Sequence, residues 1–420
     1  MKVNSIEDVV KFQLCTGCGA CAYIEPSRYR MGDAIEYGRR PFLRSNPQPE
    51  THEALKICPG LSLSHSKNIK ENKDINKDLL GGWGPIFEVF EGYAADDEIR
   101  FAGSSGGAAT ALALFCLEQQ DMNGVLHTGA KNDAPYLNET VISTSRKQLL
   151  ERTGSRYSPA SPAEGLSLIE NAKGKSVFIG KPCDVAAAQE SRKIRPTLDK
   201  NLGLVISFFC AGTPSTKGVL DLFAENDIES SNSITSLRFR GNGWPGMWNV
   251  KFNHNEEKQQ TYEQSWGFLQ KYRQWRCYIC PDHTGEFADI AVGDPWYRKV
   301  ENGELGKSLI VARTKHGLDI INSAVASGYI VLEKNDPTLL PRSQPNLLTT
   351  RGALWARLVV LRILGAATPK YIGFELFRYW AKNLTLKGKV QSIIGTVKRV
   401  YSKGLNKPST FRSKKRTNSS

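Results

Sequence analysis

The sequence predicts an α/β protein in three parts: a small cysteine-rich N-terminal lobe, a mixed α/β core, and a basic helical C-terminal segment. Three observations predict it. Residues 176–183 and 202–215 follow one plan, an apolar strand, a short loop with a cysteine and then a helix, which is how α/β sheets are built. The first 60 residues carry a self-contained set of four cysteines. From residue 351 to 420 there are 16 Lys plus Arg against one acidic residue, Glu375, which leaves 40 basic and 41 acidic residues in the rest of the chain. The net charge of +14 therefore belongs to the C-terminal segment, and a near-neutral body gives little support to nucleic-acid binding.

Cys15, Cys18 and Cys21 stand two residues apart, with Cys58-Pro59 further on. A C-x2-C-x2-C loop with a remote Cys-Pro is the ferredoxin way of supplying four thiolates to a 4Fe-4S cluster. Gly17 and Gly19 let the loop curl. Zinc is the competing reading, but it takes cysteines in C-x2-C pairs and leaves the third cysteine and the Cys-Pro without purpose. Residues 1–62 are read as a ferredoxin-like 4Fe-4S lobe and the polar stretch 63–83 as a linker.

The core is placed at 84–345. Gly103, Ser104, Ser105, Gly106 and Gly107 open an apolar, alanine-rich helix, and free amides at a helix start can hold a phosphate. Close helix packing explains such small residues equally well. Strands are expected at 124–128 and 141–144, a helix at 145–152, and a polar turn at 153–157. The strands at 176–180 and 202–209 place Cys183 and Cys210 at their carboxyl ends, with helices expected from 184 and 215; in α/β sheets ligands bind at those ends. Cys277 and Cys280 add a C-x2-C pair. Cys183, Cys210, Cys277 and Cys280 thus make a second set of four, read as a second 4Fe-4S cluster with zinc as the rival. Cys116 lies in the apolar helix and is read as core. The glycine- and tryptophan-rich stretch 239–248 suits either a loop over a planar cofactor or a surface turn.

Clusters pass single electrons, and most metabolic reductions move a hydride, so a flavin is the natural converter between them. The 103–107 loop would hold its pyrophosphate, with residues 153–157 and Lys181 near the same strand ends. Asp282, His283 and Asp294 are the nearest candidates for a proton donor. No secretory signal opens the chain, and nine cysteines, five of them in C-x2-C spacings, point to metal in a reducing compartment, hence a cytoplasmic protein. The basic helical extension, 346–403, is interrupted by Arg357, Arg362, Pro369 and Lys370 and is too broken to span a bilayer. With Trp355 and Trp380 it suits an anionic membrane surface, an acidic partner, or packing on its own core. Residues 404–420 are expected to be disordered. Oligomeric state, a homo-oligomer included, is left open.

The motifs CTGCGAC, ICPG, GSSGG, TGSRY, GKPCD, FFCAGTPS and RCYICPDHTGEFADIAVGDPW, in this order over residues 10–300, resemble those of the family of coenzyme F-420 hydrogenase/dehydrogenase beta subunits. The resemblance implies an iron-sulfur flavoprotein that binds FAD and moves electrons between clusters and a hydride carrier. It implies that Cys15, Cys18, Cys21 and Cys58 hold one cluster, that Cys183, Cys210, Cys277 and Cys280 hold the one nearer the flavin, and that residues 104–107 with Gly154, Ser155, Arg156 and Tyr157 contact the flavin. A ferredoxin-like donor or a deazaflavin carrier would be the partner. The long basic extension and the GNGWPG loop depart from the hydrogenase subunits and look more like stand-alone members associated with polysaccharide biosynthesis. A non-catalytic electron-relay subunit, docked on a membrane or a partner enzyme, is the alternative.

Overall fold

The computed structural model describes residues 1–409 other than 230, 254, 255 and 302. Its centre is an eight-stranded sheet whose strands, in chain order, are β1 (Glu88–Ala94), β2 (Val125–Ala130), β3 (Asn138–Ser143), β4 (Ser176–Gly180), β5 (Leu202–Phe208), β6 (Ile290–Gly293), β7 (Ser308–Ala312) and β8 (Ile330–Asn335). The spatial order is β8-β1-β7-β6-β5-β4-β2-β3. The middle four, β6, β5, β4 and β2, are parallel, and antiparallel strands flank them on both sides. Parallel strands buried on both faces need continuous apolar runs. Val177, Phe178, Leu204, Val205 and Ile206 supply them, each fully buried.

Two helices carry both cavity and cysteine positions. Helix α1 (Ala108–Gln119) is apolar all round and buried, with Cys116 in the core as expected. Helix α2 (Pro182–Arg192) starts two residues before the sequence predicts. Proline fits the first helical position because its missing N–H is unpaired there anyway, and the Asp184 carboxylate accepts from the Lys181 N–H at 3.0 Å. Cys183 is thereby drawn from a loop into the first helical turn. Helix α3 (Thr216–Glu225) follows β5. Between α3 and β6 lies a small antiparallel sheet of Ile234–Arg238, Met247–Phe252 and Glu257–Thr261. The stretch 239–248 is thus a loop only up to Gly246.

The N-terminal lobe has helices Ile6–Lys11, Ala20–Ile24 and Glu53–Lys56 and the hairpin Tyr29–Ala34/Gly38–Leu43. Cys18, Ala20 and Ile24 pack in one cluster with Leu126, Phe178 and Val185 of the core. Residues 63–83 are woven into the protein rather than strung between parts. Ser62–Ser64 pairs with Lys370–Ile372, and the helix Lys77–Trp83, capped by Asn76, buries Leu79 and Trp83. The few apolar residues of this polar stretch all find cover.

Helices α4 (Pro345–Ile363), α5 (Leu376–Asn383) and α6 (Leu386–Ser402) form the basic extension. Leu354, Leu358 and Leu361 of α4 share a cluster with Val9, Leu14, Cys15, Trp275 and Ile279. Leu405 is buried beside them, and the Ser409 N–H donates to the Lys11 carbonyl at 2.7 Å. The expected disordered tail therefore cannot begin at 404; residues 410–420 lie outside the described residues. Among the described residues no helix is long and apolar enough to cross a membrane.

Candidate functional site

The first quartet forms where the chain curls back between two N-terminal helices. Gly17 and Gly19 take φ of +76° and +95°, in the left-handed region where a side chain is strained. A Cβ on Gly17 would also meet the Arg39 carbonyl oxygen at 2.8 Å. This curl aims the Gly17 N–H at the Cys15 sulfur, 3.4 Å away. Burial, reinforced by neighbouring thiols, pushes the thiol pKa of Cys18 to about 11 and of Cys58 to about 12, and raises Cys21 well above its ordinary value. The Cys21 thiol feels Cys18, Cys15 and Cys58 together.

The second quartet is assembled from three places in the fold: Cys183 in the first turn of α2, Cys210 just after β5, and Cys277 and Cys280 in and after the short helix Trp275–Tyr278. Burial and mutual repulsion raise Cys183 strongly and bring Cys210 and Cys280 to about 12. The Thr213 N–H points at the Cys277 sulfur, 3.4 Å away. All eight cysteines are free thiols. A buried donor set of this kind remains deprotonated only around a cationic centre. Among the described residues no three His, Cys, Asp or Glu side chains converge on a point fit for a single metal ion; the thiols of each quartet stand near one another without that convergence.

Two buried side chains join the quartets. Arg276 donates to the Pro59 carbonyl at 2.8 Å, next to Cys58, while its charge acts on Cys280, Cys183 and Cys277. Asp184 lies close enough to Cys18 of the first quartet and to Cys183 and Cys210 of the second to raise all three thiols. It also pairs with Lys181 at 2.6 Å. Burial works against the Lys181 ammonium, but Asp184 outweighs it and raises the lysine above its usual range.

Lys181, Asp184 and Cys210 open onto a cavity of about 340 Å³ at the carboxyl ends of the parallel strands. The cavity is also lined by Gly103, Ser104, Ser105 and Gly107, by Gly154, Ser155, Arg156 and Tyr157, and by Asp294. The two loops are tied together, the Ser155 N–H donating to Ser104 Oγ at 2.6 Å. Gly106 is absent from the lining: its N–H donates to Ser308 Oγ at 2.9 Å, and a Cβ there would meet the Ser308 nitrogen at 2.7 Å. Gly107 caps α1 with φ +74° and no side-chain partner, and Ala108, Ala109 and Thr110 of the first turn face the cavity. Arg156 is held by neutral partners, Asn138 Oδ1 and the Leu237 carbonyl, both at 2.8 Å. Burial, with Arg238 nearby, lowers its pKa to about 10.

The proton-donor candidates separate. Asp294 lines the cavity, bound by both terminal nitrogens of Arg240 at 2.8 and 2.9 Å and by the Trp244 indole at 3.0 Å. Asp282 and His283 do not line it. The Asp282 carboxylate accepts the N–H groups of Thr284, Gly285 and Glu286, building the turn after Cys280. Burial and the Glu286 charge raise it to about 6. His283 Nδ1 lies 2.8 Å from the Cys210 carbonyl, and burial lowers its pKa. The sequence reading missed an aromatic wall: Tyr262 and Trp296 stack at 6.0 Å with planes 4° apart, Trp244 stacks on Trp296 at 5.6 Å, and the Arg240 guanidinium lies 4.5 Å from the Tyr262 ring. Trp244 of the GNGWPG stretch was its one visible signal.

The mixed sheet, the cavity at its parallel ends and the two thiol quartets define a class, that of redox proteins built on an α/β core. The chain belongs to the family of coenzyme F-420 hydrogenase/dehydrogenase beta subunits: the model of the family's N-terminal part matches residues 89–167 and that of its C-terminal part residues 174–338. The chain is 24% identical over 242 residues to the beta subunit of the coenzyme F-420 hydrogenase of Methanosarcina barkeri, covering 56% of this chain and 77% of that one. It is 23% identical over 343 residues to a subunit of the F(420)H(2) dehydrogenase of Methanosarcina mazei, covering 76% and 90%. Among solved structures, a chain of the F-420-reducing [NiFe] hydrogenase complex of Methanosarcina barkeri superposes with a TM-score of 0.50 at 22% identity, over 65% of this chain and 93% of that one. That likeness establishes the shared fold.

Proposed function

We propose that the chain is an iron-sulfur flavoprotein oxidoreductase, with one 4Fe-4S cluster on Cys15, Cys18, Cys21 and Cys58, a second on Cys183, Cys210, Cys277 and Cys280, and FAD in the cavity between the 103–107 and 153–157 loops. The observation that carries this reading is continuity: Asp184 neighbours both quartets and pairs with Lys181, which opens on the same cavity as Cys210. Clusters there would supply one-electron steps, and a flavin their conversion to a hydride.

The chain's own groups have definable parts in this. The open first turn of α1 and Arg156, a buried cation with neutral partners, suit a pyrophosphate. Lys181 and Asp184 form an ion pair beside the cavity, from which the lysine ammonium can donate a hydrogen bond to a bound ring. Tyr262 and Trp296 offer a flat face for an organic acceptor, with Asp294 held by Arg240 beside them. Asp294 is therefore the proton-handling candidate retained; Asp282 builds a turn. The relatives' names make them parts of hydrogenase and dehydrogenase assemblies, so a carrier or partner enzyme that exchanges electrons at the first quartet belongs to the proposal. The reading keeps the chain in the cytoplasm.

The test is anaerobic purification followed by iron, sulfide, zinc and acid-released flavin analysis of one sample. About eight irons and one FAD per chain are expected. Zinc without flavin would sink the reading.

A further inference from the structure

Helix α6 wears its apolar stripe on the outside. Leu386, Val390, Ile393, Ile394 and Tyr401 are 81, 53, 40, 51 and 65% exposed. At 3.6 residues per turn they share an arc of about 100°. The face turned to the protein is the more polar one: Ser392, Thr396 and Val400 are buried, and the Trp380 indole donates to Ser392 Oγ at 3.4 Å. An amphipathic helix ordinarily does the reverse. In α5, which meets α6 through the Trp380–Ser392 hydrogen bond, Phe377 is 56% exposed and packs with Trp355 and Trp380, at 5.0 and 6.2 Å between ring centres.

Charge identifies what covers this face. Lys387 and Lys398 flank the stripe on its solvent side by the same helical arithmetic, Lys382 lies in the last turn of α5, and Lys403 caps the end of α6. The one carboxylate of residues 351–420, Glu375, is taken by Lys70 and Arg378. A protein groove would need acidic residues placed against each lysine. An anionic bilayer meets all of them at once while its acyl region takes the leucine and isoleucines, with half-buried tryptophans at the headgroup level.

We propose that α6, with Phe377 of α5, is an in-plane membrane anchor that seats the protein on anionic lipid. The inference does not depend on the redox reading. The full chain is floated with vesicles of phosphatidylcholine alone or with about one third phosphatidylglycerol. Flotation with the anionic vesicles only is expected. Ile393→Asp with Ile394→Asp should lower bound protein about a hundredfold. Lys387→Glu with Lys398→Glu should lower it at least about tenfold. Both pairs are solvent-exposed, so unfolding temperature and iron content should match the unaltered chain and certify the fold. No flotation with either vesicle, or flotation unchanged by both variants, overturns the proposal. So does a dimer in light scattering that the isoleucine variant splits while vesicles do not bind, because the face would then belong to a second copy.

Discussion

Glu286→Gln tests how the three parts of the chain are fastened together. The Glu286 carboxylate is 1% exposed and binds two partners from distant segments: His65 Nε2 at 2.7 Å, from the stretch after the first quartet, and Arg351, from α4. His65 stacks on Phe287 at 4.7 Å, and Arg351 lies 5.1 Å from the Phe374 ring. Burial alone would raise the Glu286 pKa, but Arg351 and His65 outweigh it and bring it from 4.5 to about 2. A carboxyl displaced by that interval contributes about 3 kcal/mol to folding. Because the folded-state pKa is the lower one, the contribution is fully present above pH 4.5 and is lost as the pH falls towards 2. Glutamine keeps the shape and removes the charge, leaving Arg351 buried without a carboxylate, at a cost of about 3–5 kcal/mol.

The assay is urea unfolding followed by tryptophan fluorescence, with Trp83 buried close by. At neutral pH the variant should unfold at lower urea by an amount equivalent to about 3 kcal/mol, and the gap should close between pH 4.5 and 2. Protease should also reach the extension from α4 onward sooner. Equal midpoints at neutral pH would refute the reasoning, as would a gap that does not change in acid.

Cys277→Ser should halve the iron content and remove one of two cluster signals in paramagnetic resonance; loss of both would show that the division into quartets is wrong. Arg240→Met leaves Asp294, accepting from Trp244, without its cation, so stability should fall by about 3–5 kcal/mol and acid-released flavin at least tenfold. Unaltered flavin content would remove that pair from the cofactor's surroundings. Arg276→Met takes a buried cation from beside the second quartet, and the midpoint potential of its cluster should drop by roughly 50–100 mV in a redox titration; an unchanged potential would reduce Arg276 to a structural tie.

The two cysteine groupings could be read from the sequence because cysteine spacing is a local pattern: C-x2-C-x2-C and C-x2-C appear in any register, and each strand with a cysteine after its end is a short pattern. The sheet's outer order could not. β1 is inserted between β7 and β8, a pairing across more than 200 residues that no periodicity encodes. The same reason hid Arg240–Asp294 and His65–Glu286–Arg351, whose partners meet only after the sheet has formed. Asp282 lies off the cavity for a different reason. Asp-His-Thr-Gly is a turn sequence, in which an aspartate commonly satisfies the following backbone N–H groups, and here the carboxylate is occupied by three of them. In α6 a periodic apolar face does not by itself declare whether protein or something else covers it.

The family models stop at residue 338, and Cys15 to Cys58 lie before their start. The segments outside the models nevertheless meet at the second quartet. Arg357 of α4 donates to the Tyr278 carbonyl at 2.6 Å, and the Tyr371 hydroxyl to the Ile279 carbonyl at 2.6 Å, so the extension grips the two residues between Cys277 and Cys280. On the other side Pro59 accepts from Arg276. A C-x2-C loop presents its sulfurs correctly only when its backbone is fixed, and here that backbone is fixed by an N-terminal carbonyl and a C-terminal helix. The basic extension is therefore structural support for a cysteine loop as well as a carrier of charge. In this chain the Cys277–Cys280 loop is held by residues that lie outside the stretches the family models match.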